Sequence, residues 1–222
     1  MDLLLTSSGL RNDTLRDALR DMVGKPFSSA NVVYVPTASV AEPGDHGWLL
    51  SDMNRMHALG WREFDILELN GLPRQSVLDR LSRADVVYAS GGNHYHLARS
   101  ISGNELTEGF RQALEDRVYV GLSAGSMIFS RNLTAHSADV IGDTADLHAL
   151  GTTTVESPFN AFDWYLKPHL YSPDFPERDD AWADRIVTRA DFPIYFIDDD
   201  TAIRVRDDEV DVVTEGRWRF HP

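Results

Sequence analysis

Ser123 stands at the centre of Gly-Leu-Ser-Ala-Gly, residues 121–125, directly after the β-forming run Val118-Tyr119-Val120. A serine at the tip of a buried strand serves no packing purpose. Gly-x-Ser-x-Gly at a strand-to-helix junction is instead the pattern that lifts a hydroxyl out of a sheet as a nucleophile. Glycines at 121 and 125 keep side chains out of a turn this crowded. The amide of Ala124 would then point beside Ser123 Oγ and supply half of an oxyanion hole. The same five residues could also form a plain glycine-rich turn with a solvent-facing serine. A base and an acid must therefore be found elsewhere in the chain.

The chain has eight histidines. His169, in Lys-Pro-His-Leu-Tyr-Ser-Pro (167–173), falls between a predicted strand and a helix, where a sheet edge would bring it toward Ser123. His46 and His57 lie on or beside an amphipathic helix, where solvated histidines are the ordinary outcome. His94 and His96, two residues apart at a helix start, project to different faces and have no third ligand nearby, so no metal site is expected. For the acid, Asp198, Asp199 and Asp200 lie between two predicted strands, and Asp139 and Asp143 follow the serine in sequence; an acidic turn is the plain alternative for each. Chain order separates two enzyme architectures. An α/β-hydrolase needs serine, acid, histidine in that order, which would force the near-terminal His221. The order Ser123, His169, Asp199 uses residues that all fall at predicted strand ends, and it is preferred.

The elements that would carry these residues alternate. Residues 2–8, 31–39, 63–69, 85–92 and 118–125 read as strands, and 12–23, 46–60, 74–84, 94–101 and 104–116 as helices. Asn12 or Asp13 would cap the first helix. Near-continuous apolar runs such as Asn-Val-Val-Tyr-Val signal strands buried on both faces of a parallel sheet. The expectation is an α/β fold with a doubly wound, mostly parallel sheet, whose sites lie at the carboxyl ends of strands. A helix over 178–189 and three short strands after it predict an antiparallel edge at the C-terminal end. No repeat, linker or composition break divides residues 1–222, so one domain is expected.

Composition narrows the chemistry. The 222 residues are 42% hydrophobic and 25% charged, ordinary values for a globular chain with a sizeable core. Cysteine is absent, which removes disulfides and thiolate nucleophiles. A net charge of −14 argues against a nucleic-acid partner, because phosphate backbones require basic patches. The apolar run Leu3-Leu4-Leu5 is too short for a signal peptide or a membrane span, so a cytoplasmic location with no membrane partner is expected.

Taken together, Ala-Ser-Gly-Gly-Asn-His-Tyr-His-Leu (89–97), Gly-Leu-Ser-Ala-Gly-Ser (121–126), the His169 segment and Phe-Ile-Asp-Asp-Asp-Thr-Ala-Ile (196–203) resemble the peptidase E (aspartyl dipeptidase) family of serine peptidases. Cyanophycinases are among its wider relatives. The similarity runs over nearly the whole chain, and it implies a class I glutamine amidotransferase-like, flavodoxin-like fold with serine in place of cysteine. It further implies Ser123 as nucleophile, His169 as general base, and the amides of Gly92 and Ala124 as the oxyanion hole. Asp199 matches a position that is usually glutamate, and Asp139 matches a second acid considered for the charge relay. The family binds the substrate's N-terminal aspartate through an arginine in the helix after the histidine, where this chain has Trp182 flanked by Arg178 and Arg185. Asn93, Arg178 and Trp182 are the candidate substrate contacts. An arginine reading the substrate would favour Asp-X dipeptides. A pocket filled by Trp182 would favour neutral N-terminal residues, and the departure at that position tilts the expectation that way. The resemblance implies hydrolysis of small peptides with no cofactor or metal. An esterase, a cyanophycinase-like enzyme and an inactive binding or regulatory member are the alternatives.

Overall fold

The computed structural model describes residues 1–207 and 209–222. Along the first half run β1 (Asp2–Thr6), α1 (Asp13–Val23), β2 (Asn31–Val35), α2 (Thr37–Val40), α3 (Gly47–His57), β3 (Glu63–Ile66), α4 (Arg74–Arg83) and β4 (Val86–Ala89). Then come α5 (His94–Gly103), α6 (Thr107–Glu115), β5 (Val118–Leu122), α7 (Ala124–Met127), a π-helical turn over Ala135–Ile141, and α8 (Ala145–Ala149). The last third holds β6 (Tyr165–Lys167), α9 (Asp180–Val187), β7 (Ile194–Ile197), β8 (Thr201–Arg206), β9 (Glu209–Thr214) and β10 (Trp218–His221).

A seven-stranded sheet of order β3-β2-β4-β5-β1-β8-β9 forms the centre. Its first five strands are parallel, and β8 and β9 add an antiparallel edge. Unbroken apolar runs make these strands because both faces are covered. Leu3 and Leu5 pack with Val33, Val87 and Tyr119 on one face, and Leu4 packs with Val32, Val86 and Val120 on the other. Period-2 alternation within one strand thus feeds two separate apolar layers.

The chain departs from its sequence expectation in three places. Residues 31–39 do not form one strand: after Val35, Pro36 ends the ladder and a short helix, α2, begins at Thr37. Of the three strands expected at the C-terminal edge, only β8 and β9 join the central sheet. β7 pairs instead with β6, in parallel, and with β10, antiparallel, to make a second small sheet. Finally, the helix expected over 178–189 is shorter: Asp179 caps α9 by accepting a hydrogen bond from Trp182 N–H, so Arg178 lies before the helix.

Candidate active site

Strand register brings three hydroxyl- and carboxylate-bearing residues to one edge. Thr6, the last residue of β1, stands opposite Leu122 of β5 on one side and Ala202 of β8 on the other. The next residue along β1 is Ser7, the next along β5 is Ser123, and Asp199 lies just before β8. Ser123 occupies φ 47° and ψ −104°, a strained conformation for a residue with a Cβ. Its N–H donates to Thr6 O at 3.0 Å, and the amides of Ser126 and Met127 donate to its carbonyl, which holds the elbow in place. The flanking glycines are required by close approach. A Cβ on Gly121 would come within 2.6 Å of Ser126 N, and one on Gly125 would overlap the Ala89 carbonyl.

His169 enters from the small sheet. β6 ends at Lys167 beside Phe196 of β7, Pro168 follows, and Leu170 N–H donates to Ile197 O at 3.0 Å. This pins the histidine next to the 198–200 turn. His169 Nε2 lies 2.9 Å from Ser123 Oγ, and its Nδ1 lies 2.8 Å from Asp199 Oδ1. Its own backbone is left-handed, with φ 67°. Burial draws the imidazole below the ordinary histidine value, and the Asp199 carboxylate partly offsets that. Burial by itself would raise Asp199, but hydrogen bonds from His169, Ser172 and Ser7 outweigh it and hold the carboxyl at about 2. Ser172 Oγ donates to Oδ2 at 2.6 Å, Ser7 Oγ to Oδ1 at 2.9 Å, and Arg11 Nη1 to Oδ2 at 3.3 Å.

Gly92 adopts φ 119°, and a Cβ there would overlap the Ala38 carbonyl. Among the described residues neither the Gly92 nor the Ala124 amide donates to a protein acceptor. Both lie beside the elbow: Ala124 follows the serine directly, and a Cβ on neighbouring Gly91 would stand 3.5 Å from Ser123 Cβ. Two free amides close to a hydroxyl can stabilise a developing oxyanion.

The other residues named from sequence fall into place differently. Asn93 is 1% exposed and caps α5, its Oδ1 accepting from His96 N–H at 2.8 Å while its Nδ2 donates to Asp146 O at 3.0 Å. Both polar ends are thereby occupied. Asp139 is exposed, and Arg189 donates to its backbone carbonyl; no hydrogen bond links its carboxylate to His169 among the described residues. Arg178 is largely buried beside the site, its guanidinium 3.8 Å from the Phe175 ring and 5.9 Å from that of Trp182. Trp182 is half-buried and packs edge-on against Phe196. Arg185 is exposed on α9. His221 pairs with Ile194 at the start of β7, the end opposite the 198–200 turn. His94 is buried, with Nε2 3.0 Å from Ser137 Oγ. Ser7, Ser172 and Arg11 were not legible as site residues, although Ser172 follows His169 by only three positions. Their role depends on which strands become neighbours.

A strained elbow serine bonded to a histidine that is itself bonded to a buried carboxylate is the arrangement of serine hydrolases. The sequence matches the model of peptidase family S51 over residues 3–213, and the chain belongs to that family of serine-type peptidases. An uncharacterised peptidase of Pasteurella multocida (strain Pm70) is 24% identical over 193 residues, covering 86% of this chain and 88% of its own. A Drosophila melanogaster protein named probable alpha-aspartyl dipeptidase is 27% identical over 209 residues, covering 92% and 82% respectively. Among solved structures, a Listeria monocytogenes EGD-e protein provisionally named peptidase E superposes with a TM-score of 0.77 at 23% identity, over 97% of this chain and 98% of that one. A peptidase from an acI-B1 Actinobacterium gives 0.62 at 19% identity, over 99% and 86%. At these identities the two structures speak to the fold.

Proposed function

We propose that the protein is a dipeptidase of the peptidase E type, cutting short peptides through Ser123, His169 and Asp199. The observation that carries this reading is the unbroken chain from Ser123 Oγ through the His169 ring to Asp199 Oδ1, at 2.9 and 2.8 Å. Ser123 Oγ attacks the peptide carbonyl as His169 Nε2 takes its proton. The oxyanion is held by the Gly92 and Ala124 amides, and the proton passes to the leaving amine as the carbon–nitrogen bond breaks. Water, deprotonated by the same imidazole, then releases the acyl group from Ser123. Asp199 fixes the tautomer and stabilises the imidazolium.

For the substrate, Arg178 supports an acidic N-terminal residue. Its side chain is 16% exposed, and its one ion-pair contact among the described residues is a long one, 3.8 Å to exposed Glu177 Oε1. A largely buried guanidinium without a close carboxylate favours one arriving with the ligand. The neutral preference suggested by Trp182 has less support, since that indole packs on Phe196. A dipeptide panel with wild type and Arg178→Ala tests this. Asp-X should be preferred, and the variant should lose roughly 10- to 100-fold in kcat/KM on Asp-X while keeping its rate on neutral peptides. Strong preference for neutral N-terminal residues in the wild type would overturn the acidic assignment.

A further inference from the structure

Ser7 has the position of a hinge pin between the two acting groups of the site. It is fully buried, at the first position after β1, and its hydroxyl makes three contacts, two at 2.9 Å and a longer one of 3.3 Å to His169 Nδ1. As donor it bonds Asp199 Oδ1 at 2.9 Å, the same oxygen that receives His169 Nδ1. As acceptor it receives the His169 backbone N–H at 2.9 Å. We propose that Ser7 is a positioning residue for the hydrolytic reaction, holding the backbone of His169 and the carboxylate of Asp199 in one register through a single hydroxyl.

Three observations give this its physical basis. His169 sits at φ 67° and Tyr171 at φ 58°, so the segment carrying the base is locally strained and needs external hydrogen bonds to hold it. Ser7 Oγ supplies one of these at the histidine itself. Next, Asp199 is a short acid whose carboxylate must reach the ring from the 198–200 turn. Hydroxyls approach it from both sides, Ser7 on Oδ1 and Ser172 on Oδ2. Finally, Ser7 directly follows β1 of the central sheet and His169 follows β6 of the small sheet, so the hydroxyl ties the base to the strand edge that presents Ser123. Ser172 lacks this double role, because its side chain reaches the carboxylate without bonding the His169 backbone amide.

The inference rests on the Ser123–His169–Asp199 reading, and its test separates the two. Ser123→Ala and His169→Ala are assayed first; if either keeps near-wild-type activity, that reading fails and Ser7 has no site to position. With both inactive, Ser7→Ala should lower kcat by about 10- to 100-fold, the scale of a lost hydrogen bond to a charged group, with KM changing less than about twofold. The pH profile supplies the readout a merely structural role would not move. Without the Ser7 donor, Asp199 Oδ1 has more charge to offer the imidazolium. This full charge at 2.8 Å outweighs the lost 3.3 Å contact of the neutral Ser7 Oγ with Nδ1, so the acidic limb of kcat/KM moves to higher pH. Ser7→Cys keeps most of the bulk but is a weak donor, and should move the limb the same way with a smaller loss of kcat. It also serves if Ser7→Ala fails to fold. Wild-type kcat in a folded Ser7→Ala, or an unmoved limb in both variants, overturns the proposal.

Discussion

At the scale of single residues the site reads as a balance of burial against hydrogen bonding. His169 must be neutral to accept the serine proton, and burial keeps its pKa below the ordinary histidine value. Activity should therefore be full above that lowered value and fall as pH drops through it, placing the acidic limb of kcat/KM below about 6.5. A limb well above 6.5 in the wild type would contradict the geometry. Asp199, held at about 2, stays ionised throughout and contributes no limb of its own. Asp199→Asn should lower kcat roughly 10²- to 10⁴-fold and move the remaining limb to still lower pH, since the imidazolium loses its counter-charge. Asp198→Asn should behave otherwise. Its carboxylate accepts from Thr201 Oγ1 and from the Asp200 and Arg217 amides, so the change should lower Tm more than kcat. Asp139→Asn, on an exposed surface, should leave kinetics near wild type.

At the scale of elements, the loop between β4 and α5 does two jobs within two residues. Gly92 offers a free amide, and Asn93 starts the helix that fixes that amide's direction. Asn93→Ser retains a capping oxygen but loses the Nδ2 bond to Asp146 O, so it should lower Tm less than Asn93→Ala, which loses both bonds and at least about 1 kcal/mol, and should keep kcat/KM close to wild type. A loss of kcat/KM in Asn93→Ser that exceeds the loss in Asn93→Asp, at matched Tm, would mean that the Asn93 amide contacts substrate after all. Elements also explain what the sequence could and could not disclose. The elbow, the paired glycines and the α1 cap at Asn12 are local, because each is encoded within a few neighbouring residues. The second sheet was not legible: β6 is three residues long and finds β7 nearly thirty residues later, a pairing no local pattern encodes. Arg178 falls outside the helix expected over 178–189 because Asp179, and not an earlier residue, caps α9. Ser7 stayed hidden because its partner Asp199 is 192 positions away.

At the scale of the whole molecule, the site is assembled from two sheets. Ser123 and Ser7 come from the central one, His169 from the small one, and Asp199 from the turn that joins β7 to β8. Buried Lys167 pairs with part-exposed Asp143, Nζ 2.6 Å from Oδ2, which helps fix the end of β6, and Ser137 Oγ donates to the same carboxylate oxygen at 3.1 Å. Burial pulls the Lys167 ammonium's pKa down while Asp143 opposes it. Removing Asp143 strands the Lys167 ammonium in the interior, so Asp143→Leu should cost roughly 3–5 kcal/mol in urea denaturation, whereas Lys167→Met leaves a carboxylate that still reaches water and should cost less. Adding Lys167→Met to Asp143→Leu should recover much of that loss; a neutral Asp143→Leu would show the pair to be incidental. Among the described residues no helix is long and apolar enough to cross a membrane.

The central claim, that Ser123 Oγ is the nucleophile, is tested most directly by covalent labelling with a fluorophosphonate followed by peptide mass mapping. Wild type should take one adduct, on Ser123, in step with loss of peptidase activity. Ser123→Ala should take none and should lose roughly 10⁴- to 10⁶-fold in kcat, the scale set by removing a lone nucleophile. An adduct mapped to another residue, or a Ser123→Ala enzyme cleaving peptides near the wild-type rate, would contradict the claim.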